Sequence, residues 1–317
     1  MTASLSHGTV NGYASVVLEN RWLRAVVIPS LGGRVWELED RVRGRQWLWH
    51  RPDVPLRACR AGTSYDDHWA GGWEELFPND AAGHFEGRNL PDHGEWWTLP
   101  FEVAGIETSP VVRLRLEARA LSVKAVCAKE FVISGEAGVL TVRYSIRSEE
   151  AEPFHFLFKQ HLPVAITTNC RLLLPGGRVT PVDGAFSTLL PSPEPFDWPL
   201  AESAGRQVDL RVIPAPEQSL QEFVYVEDLP EGWCGVDDKA TGATLRMDYD
   251  CRHMPFVWLF LAYGGWRGLY TAVLEPCTNL PKDLAEAVRR GQSARLDPGK
   301  EFTTQVRVTL GEYGKER

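Results

Sequence analysis

Apolar and polar residues alternate one by one through much of this chain, which is the period of a strand buried on one face. Val112, Leu114, Leu116 and Ala118 alternate with Arg113, Arg115 and Glu117, and Leu140, Val142, Tyr144 and Ile146 with Thr141, Arg143, Ser145 and Arg147. Near the end, Phe302, Thr304, Val306, Val308 and Leu310 face one way while Glu301, Thr303, Gln305, Arg307 and Thr309 face the other. The segment WLRAVVIP, 22 to 29, is nearly all apolar or β-branched, as a strand covered on both faces would be. Gly32-Gly33 then predicts a turn, and RVWELED puts Trp36 and Leu38 on one face and Glu37 and Glu39 on the other. FVYVED, TLRMDYD, PFVWLFLAY and GLYTAVLEP continue the pattern, separated by turns such as DDKATG. Only KDLAEAVRRG, 282 to 291, has a helical pattern, with Gly291 as its stop. The chain is therefore expected to be all-β, mostly antiparallel, with one short helix. The Pro/Gly/Ser-rich stretch 175–203 lies between strands of the same kind, so residues 1–317 are expected to form a single domain without internal repeats.

One stretch breaks the alternation. DDHWAGGWEELFPNDAAGHFEGRNLPDHGEWW, 66 to 97, mixes carboxylates and histidines with Trp69, Trp73, Trp96 and Trp97. A long Gly-rich loop is usually either disordered or functional, and four tryptophans argue against disorder. Polar groups among flat aromatic faces suit a sugar. The plainer reading is a surface loop packed down by its own tryptophans. In AEPFHFLFKQHLP, 151 to 163, Phe154, Phe156 and Phe158 share one parity while His155, Lys159 and His161 share the other. An unbroken strand there would bury the phenylalanines and aim the polar set at a cleft. Glu275 ends an apolar strand, where desolvation raises a carboxyl pKa and makes a better base near neutral pH. Each of these two residues also has a purely structural reading, as a strand-end side chain satisfied by backbone or arginine.

Composition narrows the partners. The formal net charge is −8 with 34 Lys and Arg against 42 Asp and Glu, and no basic run occurs, so neither nucleic acid nor an anionic membrane surface is expected to bind. The first residues lack a basic and apolar export signal, and no run approaches the ~18 apolar residues of a spanning helix, which predicts a soluble, cytoplasmic protein. Six scattered cysteines without a CxxC pair read as free thiols. A metal site from Asp66, Asp67, His68, His84 and His93 fits no compact ligand spacing.

The opening NRWLRAVVIPSLGGRVWELED, the segment GGWEELFPND with PDHGEWW, the strand FHFLFKQHLPV, and the closing YTAVLEPCTN with LDPGKEF occur in an order that resembles the galactose mutarotase-like family, which includes aldose 1-epimerases and hexose-6-phosphate epimerases. The resemblance runs through nearly the whole chain. It implies a large antiparallel β-sandwich (a supersandwich) with a sugar cleft, and an isomerase that interconverts the α and β anomers of a free aldose without metal or other cofactor. It further implies His161 as general acid, Glu275 as general base and His93 as a substrate-binding histidine. The family's arginine near the HG dipeptide is not in its usual place; Arg88 is the nearest replacement, and Asp228 is the candidate for its hydroxyl-binding aspartate. Trp96 and Trp97 are candidates for a cleft wall or, equally, for the core. Glu74, Glu75, Asp92 and Glu95 would repel a phosphate, which favours a neutral sugar. The alternatives are a non-catalytic carbohydrate-binding protein on the same fold, or an epimerase or lyase acting on a phosphorylated, acidic or deoxy sugar. The oligomeric state is not legible.

Overall fold

The computed structural model describes residues 2–182, 184–190 and 194–312. The alternating segments pair as antiparallel strands in two large sheets. The first has eight strands and includes Val112–Arg119, Ala125–Ile133, Val139–Ser148, Ala243–Tyr249 and the twelve-residue Glu301–Glu312. The second has seven strands, and its central order is Leu220–Glu227, Phe256–Tyr263, Tyr270–Cys277, Lys159–Ala165, with Glu74–Leu76 at one edge. A five-stranded meander formed by residues 4–46 completes the architecture.

All three sheets share one core. Leu18, Val27 and Leu38 from the meander meet Leu114, Val142 and Val308 from the eight-stranded sheet and Leu162, Val257, Leu259 and Leu274 from the seven-stranded one. Each such side chain contributes about 1.5–3 kcal/mol by leaving water. Because side chains alternate, the other face of the seven-stranded sheet carries a second cluster, with Tyr225, Trp258, Val273 and Cys277 on the strands. Trp49, Tyr65, Trp69 and Trp97, from the long segments preceding the eight-stranded sheet, cover this second cluster.

Three local expectations need correction. Trp36 does not share a face with Leu38: the pairing jumps from Val26 opposite Glu37 to Val27 opposite Val35, so Trp36 is the extra residue of a bulge. Val35 and Leu38 therefore both enter the core, and Trp36 stacks on His50 at 3.8 Å. The segment 154–165 is not one strand but two, Phe154–Phe156 and Lys159–Ala165. The ladder lapses where Leu157 N–H turns to Pro78 O (2.7 Å) and Phe158 N–H to Thr278 Oγ1 (2.9 Å), yet the parity survives: Phe154, Phe156 and Phe158 are all in the core. The expected helix forms at Leu284–Arg289, N-capped by Asp283 and stopped at Gly291 (φ 68°), but a second helical turn, Tyr65–His68, lies in the tryptophan-rich stretch. Among the described residues no helix is long and apolar enough to cross a membrane. All six cysteines are free, Cys59 and Cys251 half-buried and the other four buried.

Candidate active site

The edge strand Glu74–Leu76 turns two adjacent carboxylates to opposite faces. Glu75 enters the core, where it ion-pairs with the fully buried Lys129 and accepts the Tyr144 hydroxyl at 2.6 Å. Lys129 Nζ also donates to Gly32 O at 2.5 Å, which ties the meander's turn to the same knot. Glu74, also fully buried, lies on the opposite face of the sheet, ion-pairs with Arg34 from the strand Arg34–Asp40, and accepts the Tyr65 hydroxyl. Arg34 Nη1 also donates to Gly71 O at 2.9 Å, which ties the approach to the edge strand to the same arginine.

Strand register builds the rest of the row. His161 lies opposite Glu74, Trp258 opposite Glu275, and Tyr225 opposite Trp258. Leu162 opposite Leu274 brings His161 level with Glu275 on the neighbouring strand. Five adjacent strands thus present Glu74, His161, Glu275, Trp258 and Tyr225 side by side, at the spacing of cross-strand neighbours. His161 Nε2 is 3.9 Å from Glu275 Oε1, and its Nδ1 is 3.1 Å from the Tyr65 oxygen. Tyr65 spends its proton on Glu74, so its oxygen accepts from His161 Nδ1–H; that leaves the Nε2 lone pair directed to Glu275. At 3.9 Å the two do not hydrogen-bond directly, yet both can reach the two oxygens borne by one acetal carbon.

Lys159, two residues before His161 on the same face, lies between two carboxylates. Its Nζ is 2.6 Å from Asp80 Oδ2 and 2.5 Å from Glu275 Oε2, and 4.2 Å from the centre of the Trp258 ring. His93 occupies a left-handed conformation (φ 57°) before Gly94, its N–H bonded to Asp80 O at 2.7 Å. Its ring stacks on Tyr65 at 3.9 Å, and its Nδ1 is 2.8 Å from Asp92 Oδ1. The other oxygen of Asp92 accepts the Tyr65 N–H at 2.9 Å, so one carboxylate orients both rings. The constellation is nearly closed: Glu275 and Lys159 are 2 % exposed and His161 5 %, whereas the His93 side chain is 22 % exposed and marks the open end.

Burial and neighbours set the protonation states. Burial pushes the Glu275 carboxyl up to about 7, against the pull of Lys159. Burial, followed by Lys159, His93 and Arg34, holds His161 well below the ordinary histidine range. For His93 burial works against the charged ring, but Asp80 and Asp92 outweigh it and raise its pKa. Lys159 is raised because its two carboxylates overcome desolvation. Just below neutral pH the proton of the His161–Glu275 pair therefore rests mainly on the carboxyl side, with His161 neutral.

The structure brings His161, Glu275 and His93 together, with Trp97 in the covering cluster, edge-on to Tyr65 at 5.1 Å. Trp96 is a correction: it is fully buried in the main core against Phe77, Phe101 and Phe158, because adjacent residues of the turn Trp96–Thr98 point to opposite sides. Arg88 is also placed elsewhere, in a hairpin where it pairs with Glu86 and Glu150. Asp228 sits exposed in a left-handed turn (φ 55°) after the strand Leu220–Glu227. Sequence reasoning assigned no role to Arg34, Tyr65 or Asp80, and did not foresee that Lys159 would bridge Asp80 and Glu275. The shared parity of Lys159 and His161 was the one available signal; the others arrive from segments whose approach only the fold determines. Among the described residues no group of three or more His, Cys, Asp or Glu side chains could hold a metal ion. An open depression of about 660 Å³ lies on the outer face of the eight-stranded sheet between Arg115, Arg143, Arg307 and Asp248, and its lining includes none of His93, Lys159, His161 and Glu275.

No family model and no curated protein matches the chain. Solved structures do. The Slr1438 protein from Synechocystis sp. PCC 6803 is 16% identical, with 98% of this chain and 96% of that one aligned and a TM-score of 0.68. A galactose mutarotase-like protein from Clostridium acetobutylicum is 12% identical over 98% and 99% of the two chains, TM-score 0.69. A galactose mutarotase related enzyme from Lactobacillus acidophilus is 14% identical over 95% and 99%, TM-score 0.66. The chain has the galactose mutarotase-like fold.

Proposed function

We propose that the chain is an aldose 1-epimerase-type isomerase that interconverts the anomers of a free, uncharged aldose. The observation that carries this reading is the His161–Glu275 pair, 3.9 Å apart and level on adjacent strands. In ring opening the Glu275 carboxylate takes the proton from O1 while protonated His161 donates to the ring oxygen. The open chain then faces neutral His161 and protonated Glu275, which is the arrangement favoured in the empty site. After rotation about C1–C2 the same two transfers run backwards and close the ring on the other face. His93, oriented by Asp92, would hold a hydroxyl at the open end, and Tyr65, Trp69 and Trp97 would supply apolar walls.

The charges favour a neutral sugar. Glu74, Asp80, Asp92 and Glu275 converge on the cleft, and its cations Arg34 and Lys159 are already paired with carboxylates, so a phosphate dianion would meet net repulsion. The test is the rate at which freshly dissolved α-D-glucose and α-D-galactose reach anomeric equilibrium, followed by proton NMR against the uncatalysed rate. Acceleration that disappears in Glu275→Gln is the expected result. Binding of either sugar without acceleration would replace this reading with that of a carbohydrate-binding protein.

A further inference from the structure

We infer that Lys159 is the positioning residue of the base: its ammonium clamps one oxygen of Glu275, so that the other is presented to His161, and it sets how readily both groups change protonation. The inference rests on the isomerase reading for its catalytic meaning, but not for its physical content. Glu275 Oε2 is 2.5 Å from Lys159 Nζ while Oε1 is the atom 3.9 Å from His161 Nε2, so the carboxylate is divided between a fixed and a working oxygen. The lysine cannot follow Glu275 freely. Asp80 holds it from the opposite side at 2.6 Å, the Trp258 ring lies against it at 4.2 Å, and its stem is 2 % exposed.

This arrangement resolves a conflict in the row. A carboxyl buried without a cation is held protonated and is a poor base; one tightly paired with a cation is ionised but weakly basic. Sharing one ammonium between Asp80 and Glu275 gives an intermediate strength, because Asp80 draws part of the positive charge away. The groups that face Glu275 are Lys159 and His161 from its neighbouring strand, Asp80 and His93 from the loops, Tyr225 and Tyr65 on either side, and Cys277 on its own strand. Of these, Lys159 is the strongest influence favouring the carboxylate, and it also opposes protonation of His161. Removing its charge therefore moves both titrations the same way, upward, whereas removing Asp80 leaves the whole ammonium to Glu275 and moves that carboxyl downward.

The experiment reads protonation directly. The carboxyl stretching band of Glu275, assigned by its loss in Glu275→Gln, is titrated by infrared difference spectroscopy, and the His161 ring by NMR, in the wild type, Lys159→Gln, Lys159→Arg and Asp80→Asn. The expected result is an upward move of about one pH unit or more for both groups in Lys159→Gln, a near-wild-type position in Lys159→Arg, and a downward move of Glu275 in Asp80→Asn. If Lys159→Gln does not fold, the opposite-signed shift in Asp80→Asn carries the test alone. Unmoved midpoints in folded variants overturn the inference, even if the wild type turns over sugar. In the activity arm, the kcat/KM profile of Lys159→Gln moves to higher pH with the midpoints, while kcat falls more than KM changes. Moved midpoints in a protein that accelerates no anomeric exchange leave the clamp standing and remove the isomerase reading instead.

Discussion

At the scale of single residues, reactivity depends on how many protons two side chains hold between them. With Glu275 near 7 and His161 held well below the ordinary histidine range by burial, the singly protonated pair dominates between the two midpoints. Below the lower midpoint both groups are protonated and no base remains; above about 7 both have lost their proton and no acid remains. The predicted kcat/KM profile is a bell whose alkaline side falls through about pH 7, measured by NMR exchange rates across pH 5 to 9, ranges at which an unperturbed carboxyl–histidine pair would give a plateau shifted to acid. Glu275→Gln should lower kcat by roughly 10²–10⁴-fold, the contribution expected of a positioned acid or base. Its melting temperature should hold or rise, since a neutral amide is less costly to bury than a carboxylate. His161 and Glu275 were legible in the sequence because His161 shares the polar parity of its segment, Glu275 is a carboxylate near the end of an apolar strand, and both fall at the acid and base positions implied by the family resemblance. The role of Lys159 was not, because parity reveals which face a side chain shares but not which charges meet it there.

At the scale of elements, the site depends on short pieces that have little stability of their own. The three-residue edge strand carrying Glu74 is secured from behind by Glu75, Lys129 and Tyr144, all buried in the core. Lys129→Met should strand the Glu75 charge and cost about 3–5 kcal/mol in urea unfolding, whereas Lys129→Met with Glu75→Leu should recover most of that loss. The turn that carries His93 depends on Gly94, whose φ is 65° and where an added Cβ would stand 2.4 Å from Phe77 O. Gly94→Ala must displace the turn, so weaker sugar binding, seen chiefly in KM, is the expected outcome. These pieces explain the limits of periodicity. Long strands with strict alternation, such as Val139–Ser148 and Glu301–Glu312, follow from their pattern, while three-residue strands and the Trp36 bulge are too short or too irregular to have a period.

At the scale of the whole molecule, access to a nearly closed cleft becomes the issue. The helical turn Tyr65–His68 lies over the row and is held by contacts from distant parts of the chain. Arg267, in the turn between the strands Phe256–Tyr263 and Tyr270–Cys277, donates to Asp66 O at 3.0 Å and to Asp67 Oδ1 at 2.7 Å; Arg51 donates to Asp66 O at 2.7 Å. Beneath this latch Tyr65 makes the inner contacts, stacking on His93 and bonding Glu74. A sugar reaching Glu275 has to pass the His93 end or lift this turn. Exposed ion pairs contribute less than about 1 kcal/mol, so loss of the Arg267 contacts should loosen the turn without unfolding the sandwich. Arg267→Ala is thus predicted to raise amide exchange of residues 65–69 by a few-fold, leave the melting temperature within about 2 °C, and reduce the exchange difference between sugar-bound and free protein less than Tyr65→Phe does. Unchanged exchange in 65–69 would mean that the cover is fixed by its aromatic packing alone, and that the open end at His93 is the route by which ligand enters.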